Sequence, residues 1–331
     1  MSSTGATDYR EGGAYYTPIA EGRAIVAKWA PEFRQHPAAG RHQGRMLRTL
    51  DPSAGGGCFP MALLHHGLVR PGSLEVMDLD PGARALQLPG GTLRTVATVT
   101  ADPVLTGFLV TDPQQQPDLV VTNPPFGVPR PPEPCARCAS TGQITVDKRQ
   151  RKLLAQGYQV GQPGPCPACW SKTAGCSDGL VHYSKAIPVA REHVERSLEV
   201  SARYVLLLMR LAMLETDDRV DLWANTPLRH VDVLAKRPEY MAVCMGCSGT
   251  GVQALAGSWR LPICTTCAGT GKAGKTGGDS TAYGAFLWDK QHKGPATLGV
   301  LQVPKWSPAD CRIFPAEEHR EALAPGDPLF S

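Results

Sequence analysis

Apolar positions along the chain recur at two periods, and the switches between them mark out its elements. Ile19, Ile25, Val26 and Trp29 share a face at helical spacing, so a helix is predicted from Ile19 to about Trp29, with Thr17 as its N-cap and Pro18 in its first turn. Met46-Leu47-Arg48-Thr49-Leu50 reads as a strand running into Asp51-Pro52-Ser53-Ala54-Gly55-Gly56-Gly57, and a helical stretch follows from Cys58 to about His66. Strand patterns come next at Leu74 to Met77, at about Leu93 to Val99, and at Asp118-Leu119-Val120 leading into Val121-Thr122-Asn123-Pro124-Pro125-Phe126-Gly127. After a break, the alternation resumes with an amphipathic helix near Ala186 to Val200. Strands follow at Tyr204 to Met209, Leu228 to Leu234, Tyr283 to Trp288 and Thr297 to Leu301. Strands alternating with helices predict an α/β, Rossmann-like, doubly wound sheet.

The pattern fails in two places, and both are rich in cysteine. The organisation expected is a mobile start over 1–14 and one catalytic domain over 15–304. Insertions at 130–182 and 241–278 interrupt that domain, and a proline-rich and charged tail covers 305–331. At 331 residues and 42% hydrophobic composition, one sizeable core is possible with small modules left over. The best apolar run, Tyr204 to Met209, is cut by Arg210, which excludes a spanning helix, and Met1 to Gly13 has no apolar centre of the kind a signal peptide needs. A soluble, cytoplasmic and therefore reducing setting is expected, with no membrane partner. There, the eight of eleven cysteines that lie in C-x-x-C pairs read as metal ligands before disulfides.

Cys244/Cys247 and Cys264/Cys267 are separated by 16 residues, the spacing of a four-cysteine zinc ribbon. Cys135/Cys138 and Cys166/Cys169 follow the same logic across 27 residues, which gives two zinc ions in all. Cys176 or His182 could replace a ligand of the first site, and pairing across the insertions stays open. Cys58 and Cys311 read as packed or surface thiols. The knuckles Cys247-Ser248-Gly249-Thr250-Gly251 and Cys267-Ala268-Gly269-Thr270-Gly271 resemble the zinc modules of DnaJ-type chaperones. Zinc would staple segments too small to fold alone. Equally, Lys148-Arg149-Gln150-Arg151-Lys152, Lys272 and Lys275 would offer phosphate contacts.

Net charge is only +4, so a nucleic-acid partner would have to be met by local patches. The candidate chemistry lies at Asn123-Pro124-Pro125-Phe126. Neither proline has an N–H, and Pro125 biases Pro124 toward an extended backbone, so the Asn123 side-chain oxygen and the Pro124 carbonyl can converge as free acceptors. A planar amino group suits two acceptors, and Phe126 offers a stacking face for its ring. The glycine-rich turn after the first strand and Asp78 after the second fit a nucleotide-like ligand, the carboxylate meeting ribose hydroxyls. Asp80 reads as a helix cap.

Taken in order, Tyr16-Thr17-Pro18, Asp51-Pro52-x-x-Gly55-x-Gly57, Asp78, Asp102 and Asn123-Pro124-Pro125-Phe126 resemble the S-adenosylmethionine-dependent N6-adenine DNA methyltransferases. The resemblance implies a class I methyltransferase fold with a seven-stranded, mostly parallel sheet. It implies S-adenosylmethionine as cofactor, bound by Tyr16, Thr17, Pro18, Asp51, Ser53, Gly55, Gly57, Asp78 and Asp102, with Thr17, Asp51, Gly55 and Gly57 at its methionine part, Asp78 at its ribose and Asp102 near its adenine. It further implies duplex DNA as partner, with a flipped adenine held by Asn123, Pro124, Pro125 and Phe126. Phe126 stands where many relatives have tyrosine, and loose sequence specificity is expected because only a short stretch follows the last strand. The alternatives are methylation of RNA, of protein glutamine or of cytosine N4, and a zinc-ribbon nucleic-acid binder on an inactive scaffold.

Overall fold

The computed structural model describes residues 17–35, 46–69, 73–78, 116–125, 133–157, 159–168, 170–171, 176–177, 180–181, 189–215, 217–238, 244, 264–267 and 281–304. The chain forms two compact units. One comprises Met1–Phe126 with Val189–Ser331, and the other is Gly127–Pro188.

The larger unit is built on seven strands: β1 (Thr49–Asp51), β2 (Leu74–Val76), β3 (Leu119–Thr122), β4 (Tyr204–Arg210), β5 (Leu228–Leu234), β6 (Tyr283–Asp289) and β7 (Thr297–Leu301). They pair in the order β7-β5-β6-β4-β3-β1-β2. β1 runs parallel to both β2 and β3, β3 is parallel to β4, and β5 is parallel to β7. Only β6 is reversed, pairing antiparallel with β4 and with β5, where Val233 lies opposite Gly284.

Because helices cover both faces, the central strands are apolar on both sides instead of alternating with polar residues. The period of two then divides each strand between two cores. Leu119, Val121, Tyr204, Leu206 and Leu208 pack with α1 (Ile19–Arg34) and α2 (Cys58–His65). Val120, Val205, Leu207 and Met209 pack with α3 (Ala190–Val200) and with Leu222 of α4 (Val220–Asn225). Each such fully buried Leu or Val contributes about 1.5–3 kcal/mol relative to an exposed position.

α1 departs from its expected extent. It continues through Pro31 to Arg34, although Pro31 cannot donate to the Ala27 carbonyl. The extra turn is held by tertiary contacts: Phe33 is fully buried with its ring 5.2 Å from that of Tyr204, and Glu32 pairs with Arg229. Pro18, in extended conformation, occupies the N-cap of α1, so Thr17 stands outside the helix and does not cap it. The predicted strand at 93–99 and Asp80 lie outside the described residues.

In the smaller unit the two-residue strands 133–134 and 180–181 pair antiparallel, as do 143–145 with 163–165 and 170–171 with 176–177. A unit with so little regular structure has few apolar side chains to bury; among its described residues the hydrophobic cluster consists of three cysteines and the adjoining Ile144. No helix among the described residues is long and apolar enough to cross a membrane.

The sheet leaves little room where β6 passes Leu211. A Cβ on Gly284 would lie 2.7 Å from Leu211 Cδ2 and 3.2 Å from Val231 Cγ1. Gly284→Ala is therefore expected to lower stability by about 1–3 kcal/mol through overpacking. Urea unfolding should register it as an earlier midpoint at unchanged slope.

Candidate functional site

β1 lies between β2 and β3, and the chain leaves it first to one side and later returns on the other. At such a reversal the connections diverge and leave a crevice beyond the carboxyl ends of the strands, where open α/β sheets bind ligands. The three strand ends at this crevice carry Asp51, Met77-Asp78 and Thr122-Asn123.

The turn after β1 is drawn over β2. Ala54 N–H donates to the Met77 carbonyl at 2.9 Å, Met77 N–H to the Asp51 carbonyl at 2.8 Å, and Gly55 N–H to Asp78 Oδ2 at 2.6 Å. Two residues in this turn need the left-handed region, Gly55 at φ 50° and Gly57 at φ 84°, and Gly57 is also the N-cap of α2. A side chain at Gly57 would strain the backbone where it delivers α2. Asp78 thus fastens the turn through one carboxylate oxygen, and the Ser53 amide donates to Asp51 Oδ1 at 3.3 Å.

The turn before α1 reaches β3. Asn123 Nδ2 donates to Thr17 Oγ1 at 2.9 Å, linking positions 106 residues apart. Asn123 Oδ1 is buried and has no hydrogen-bond partner among the described residues. Leaving a buried amide oxygen unpaired costs about 1–3 kcal/mol, which a bound donor would relieve. Pro124 is buried and Pro125 half-buried behind it.

Asp51 is 1% exposed. Burial pushes its carboxyl up to about 7, against the lowering effect of the Thr122 hydroxyl and the Ser53 amide and with a further push from the Asp78 carboxylate. Cys58 is also buried, and its thiol is held well above its ordinary value by burial and by Asp51, with Thr17 acting in the opposite direction and Glu21 adding to the rise. Thr17, Glu21, Asp51, Cys58, Thr122 and Asn123 therefore form one electrostatic neighbourhood. Of these, Glu21, Cys58 and Thr122 were not singled out from the sequence as site residues. The available signal for Glu21 was its place four residues after Thr17. Cys58 is packed, as expected for it, and Gly22 makes room, since a Cβ there would meet Cys58 Sγ at 3.0 Å. Tyr16, Asp102 and Phe126 lie outside the described residues.

Cysteines gather in two further places. Cys135, Cys138 and Cys166 bring their sulfurs within 4.8 Å of one another, and so do Cys244, Cys264 and Cys267. Each set comes from a single insertion. The Cys135–Cys166 sulfurs are 3.8 Å apart and the Cys244–Cys264 sulfurs 3.9 Å. Thiolates at 2.3 Å from a tetrahedral zinc stand about 3.8 Å apart, so the donor set and its spacing fit Zn2+. Cys169 and Cys247, the expected fourth ligands, lie outside the described residues.

The first knuckle keeps two non-glycine residues at positive φ, Ala139 at 48° and Ser140 at 63°. They turn the chain back so that Ser140 N–H reaches the Cys135 carbonyl and Thr141 N–H the Cys138 carbonyl. Left-handed backbone of this kind costs about 1–2 kcal/mol per residue and persists where the surroundings over-determine it, as a metal clamp does. Burial pushes the Cys264 thiol up, but the amides of Cys267 and Thr266 and the thiols of Cys267 and Cys244 outweigh it and bring it to about 7. A thiol poised there gives up its proton readily to a metal.

No protein-family model and no curated protein matches the chain. Among solved structures it is similar to one assigned to the class I S-adenosylmethionine-dependent methyltransferases, from Listeria monocytogenes, at 13% identity and TM-score 0.42, covering 88% of this chain and 67% of that one. A modification subunit assigned to a type I restriction enzyme of Vibrio vulnificus YJ016 gives 15% identity and TM-score 0.43 over 95% of this chain and 52% of that one. A nuclease-deletion mutant of the type ISP restriction-modification enzyme LlaGI, in complex with a DNA substrate mimic, gives 11% and 0.42 over 96% and 29%. This chain thus spans about half the length of the second and under a third of the third. At such scores the reading of function rests on this chain's own residues.

If both sulfur clusters hold zinc, the purified protein contains two equivalents of metal. Cys135→Ser should leave about one, measured by atomic emission after gel filtration. Cobalt exchanged into the wild type should give the thiolate charge-transfer bands of a tetrahedral sulfur site. An unchanged metal content in the variant would remove Cys135 from the ligand set.

Proposed function

We propose that this chain transfers a methyl group from S-adenosylmethionine to the N6 amino group of adenine in DNA. The observation that carries this reading is the Asn123 carboxamide. Its nitrogen is committed to Thr17, and its buried oxygen is left without a donor beyond the end of β3. The Pro124 carbonyl next to it takes no hydrogen bond among the described residues.

The residues present suit the cofactor. The crevice has left-handed glycines that allow close approach of a ligand to the backbone, a carboxylate on each of two strand ends, and a hydroxyl at Thr17. When bound, S-adenosylmethionine supplies a methyl group on a sulfonium that departs as a neutral thioether. Asp51, and Asp78 at the edge of the turn, would face its positive and hydroxyl-bearing parts respectively.

Adenine N6 is a poor nucleophile because its lone pair is shared with the ring. Asn123 Oδ1 and the Pro124 carbonyl, accepting both N6 hydrogens, would favour a pyramidal nitrogen whose lone pair points at the methyl carbon. On taking the methyl group that the bound cofactor would supply, N6 would give up one hydrogen as a proton to solvent. Thr17 acts one step back, fixing the amide so that its oxygen and not its nitrogen faces the base. A stacked base cannot enter a crevice at strand ends, so the adenine would be turned out of the duplex.

Incubation with S-adenosylmethionine and adenine-unmethylated DNA, followed by nucleoside mass spectrometry, tests the reading. N6-methyladenine is expected with the wild type, and Asn123→Ala should reduce it at least about a hundredfold while cofactor affinity changes less than about threefold. Equal loss of both would sink the role given to Asn123. Methylcytosine, or transfer only to RNA or a glutamine-containing protein, would move the substrate.

A second expectation concerns protons. With its folded value raised to about 7, Asp51 is mostly protonated at about pH 6.5 in the free protein, and a cation bound beside it lowers that value again. Cofactor binding at that pH should therefore release protons. Calorimetry would show this as a binding enthalpy that depends on the buffer's ionisation heat, a dependence lost in Asp51→Asn. The linkage to stability has a fixed sign: a raised carboxyl stabilises the fold fully below about pH 4 and ceases to do so as pH rises through about 7.

A further inference from the structure

We infer that the Gly127–Pro188 unit grips the phosphate backbone of duplex DNA through Arg137, Lys148, Arg149, Arg151 and Lys152. The choice of DNA rests on the reading given under Proposed function; the cationic surface itself does not.

Charge is distributed unevenly in this protein. Residues 127–188 hold eight Lys and Arg against three Asp and Glu, whereas the rest of the chain holds 26 against 27. The insertion therefore accounts for all of the chain's positive balance. A zinc bound by four thiolates contributes about −2 of its own, which still leaves the unit positive.

Several cations of the larger unit are committed to carboxylates. In the larger unit Lys28 pairs with Asp232, Arg191 with Glu195 and Asp221, Arg196 with Glu199, and Arg203 and Arg229 with Asp289. In the smaller unit Arg137, Lys148, Arg149, Arg151 and Lys152 are all exposed, and among the described residues none of their side chains has a hydrogen bond or ion pair. The nearest carboxylate in sequence, Asp147, is used by the backbone: its Oδ1 accepts the Arg149 N–H at 2.7 Å, while its own N–H donates to Gln150 Oε1 at 3.2 Å.

The segment is pinned so that these cations face outward. Val146 on one side and Leu153 on the other are buried, with Val146 bridged to Val160, and the turn of 147–150 leads into the short helix Arg151–Leu154. Four cations are thereby presented from one short, anchored loop. Backbone recognition needs several fixed positive charges and little else. A protein partner or a membrane would call for apolar surface as well, and Val160 is the only large apolar side chain exposed among this unit's described residues. In sequence the unit begins at Gly127, four residues after Asn123.

The test uses the full chain and a labelled, random-sequence DNA duplex, with fluorescence anisotropy across a salt series. Lys148→Ala/Arg149→Ala/Arg151→Ala/Lys152→Ala is expected to weaken binding at least about tenfold at about 150 mM salt. The slope of log affinity against log salt should flatten by about two to four, at roughly 0.9 for each phosphate no longer neutralised. The melting midpoint should be unchanged, because none of the four side chains is bonded to another described residue. An unchanged slope and affinity would overturn the inference. So would absence of duplex binding by the wild type, or loss of binding confined to single-stranded RNA, to an acidic peptide or to anionic vesicles. The binding readout needs neither cofactor nor methyl transfer, so a protein that methylates no nucleic acid can still pass or fail it, and the two readings fail separately.

Discussion

The constraint on which the rest depends is the position of β1 between two parallel neighbours. A parallel partner on each side obliges the chain to cross over twice, once toward β2 and once toward β3, and the two crossings part above the strand ends. Everything assigned to the site lies on that parting line. Asp51 ends one strand, Asp78 follows the second and Asn123 follows the third, and the glycines of the first turn let its amides bend down onto Asp78. Thr17 arrives from the N-terminal side of α1 and ties the third strand end to the helix that covers the sheet.

Much of this was legible in the sequence. Strands such as Leu228–Leu234 and Thr297–Leu301 are short apolar runs bounded by breakers, and period and punctuation are enough to place them. What period does not encode is direction. That β6 runs against its neighbours depends on where its connections emerge, which no local pattern reports. Pro31 misled for a related reason, since the loss of one helical hydrogen bond is a local rule, and the burial of Phe33 that overrides it is a tertiary one. The reading of Thr17 as a helix cap is the most informative miss. A threonine before Pro18 reads as a cap, and only the approach of a residue 106 positions away reveals the other use of its hydroxyl. The carboxyl of Asp51 illustrates the same limit, because its altered acidity comes from what covers it.

The sulfur cluster of Cys135, Cys138 and Cys166 lies where the chain is short of core. The larger unit has two apolar layers to hold it, whereas among the described residues of the smaller one the buried cluster is made of the sulfurs themselves. Metal coordination can supply in one tight knot what a segment of this size lacks in apolar surface. That frees its surface from any duty to the interior, and a surface so freed can be uniformly charged without destabilising what lies beneath.

The single reversed strand has one more consequence. Because β6 runs against β5, with Val233 beside Gly284, it starts at the edge where β5 stops. A tight hairpin of a few residues would join the two. The chain instead uses the whole stretch from Ala235 to Ala282 for this connection, including Cys244, Cys264 and Cys267. Sheet closure places no demand on that length. The pairing of these two strands would be met by a much shorter connection, and whatever keeps its cysteines in place must be sought outside that pairing.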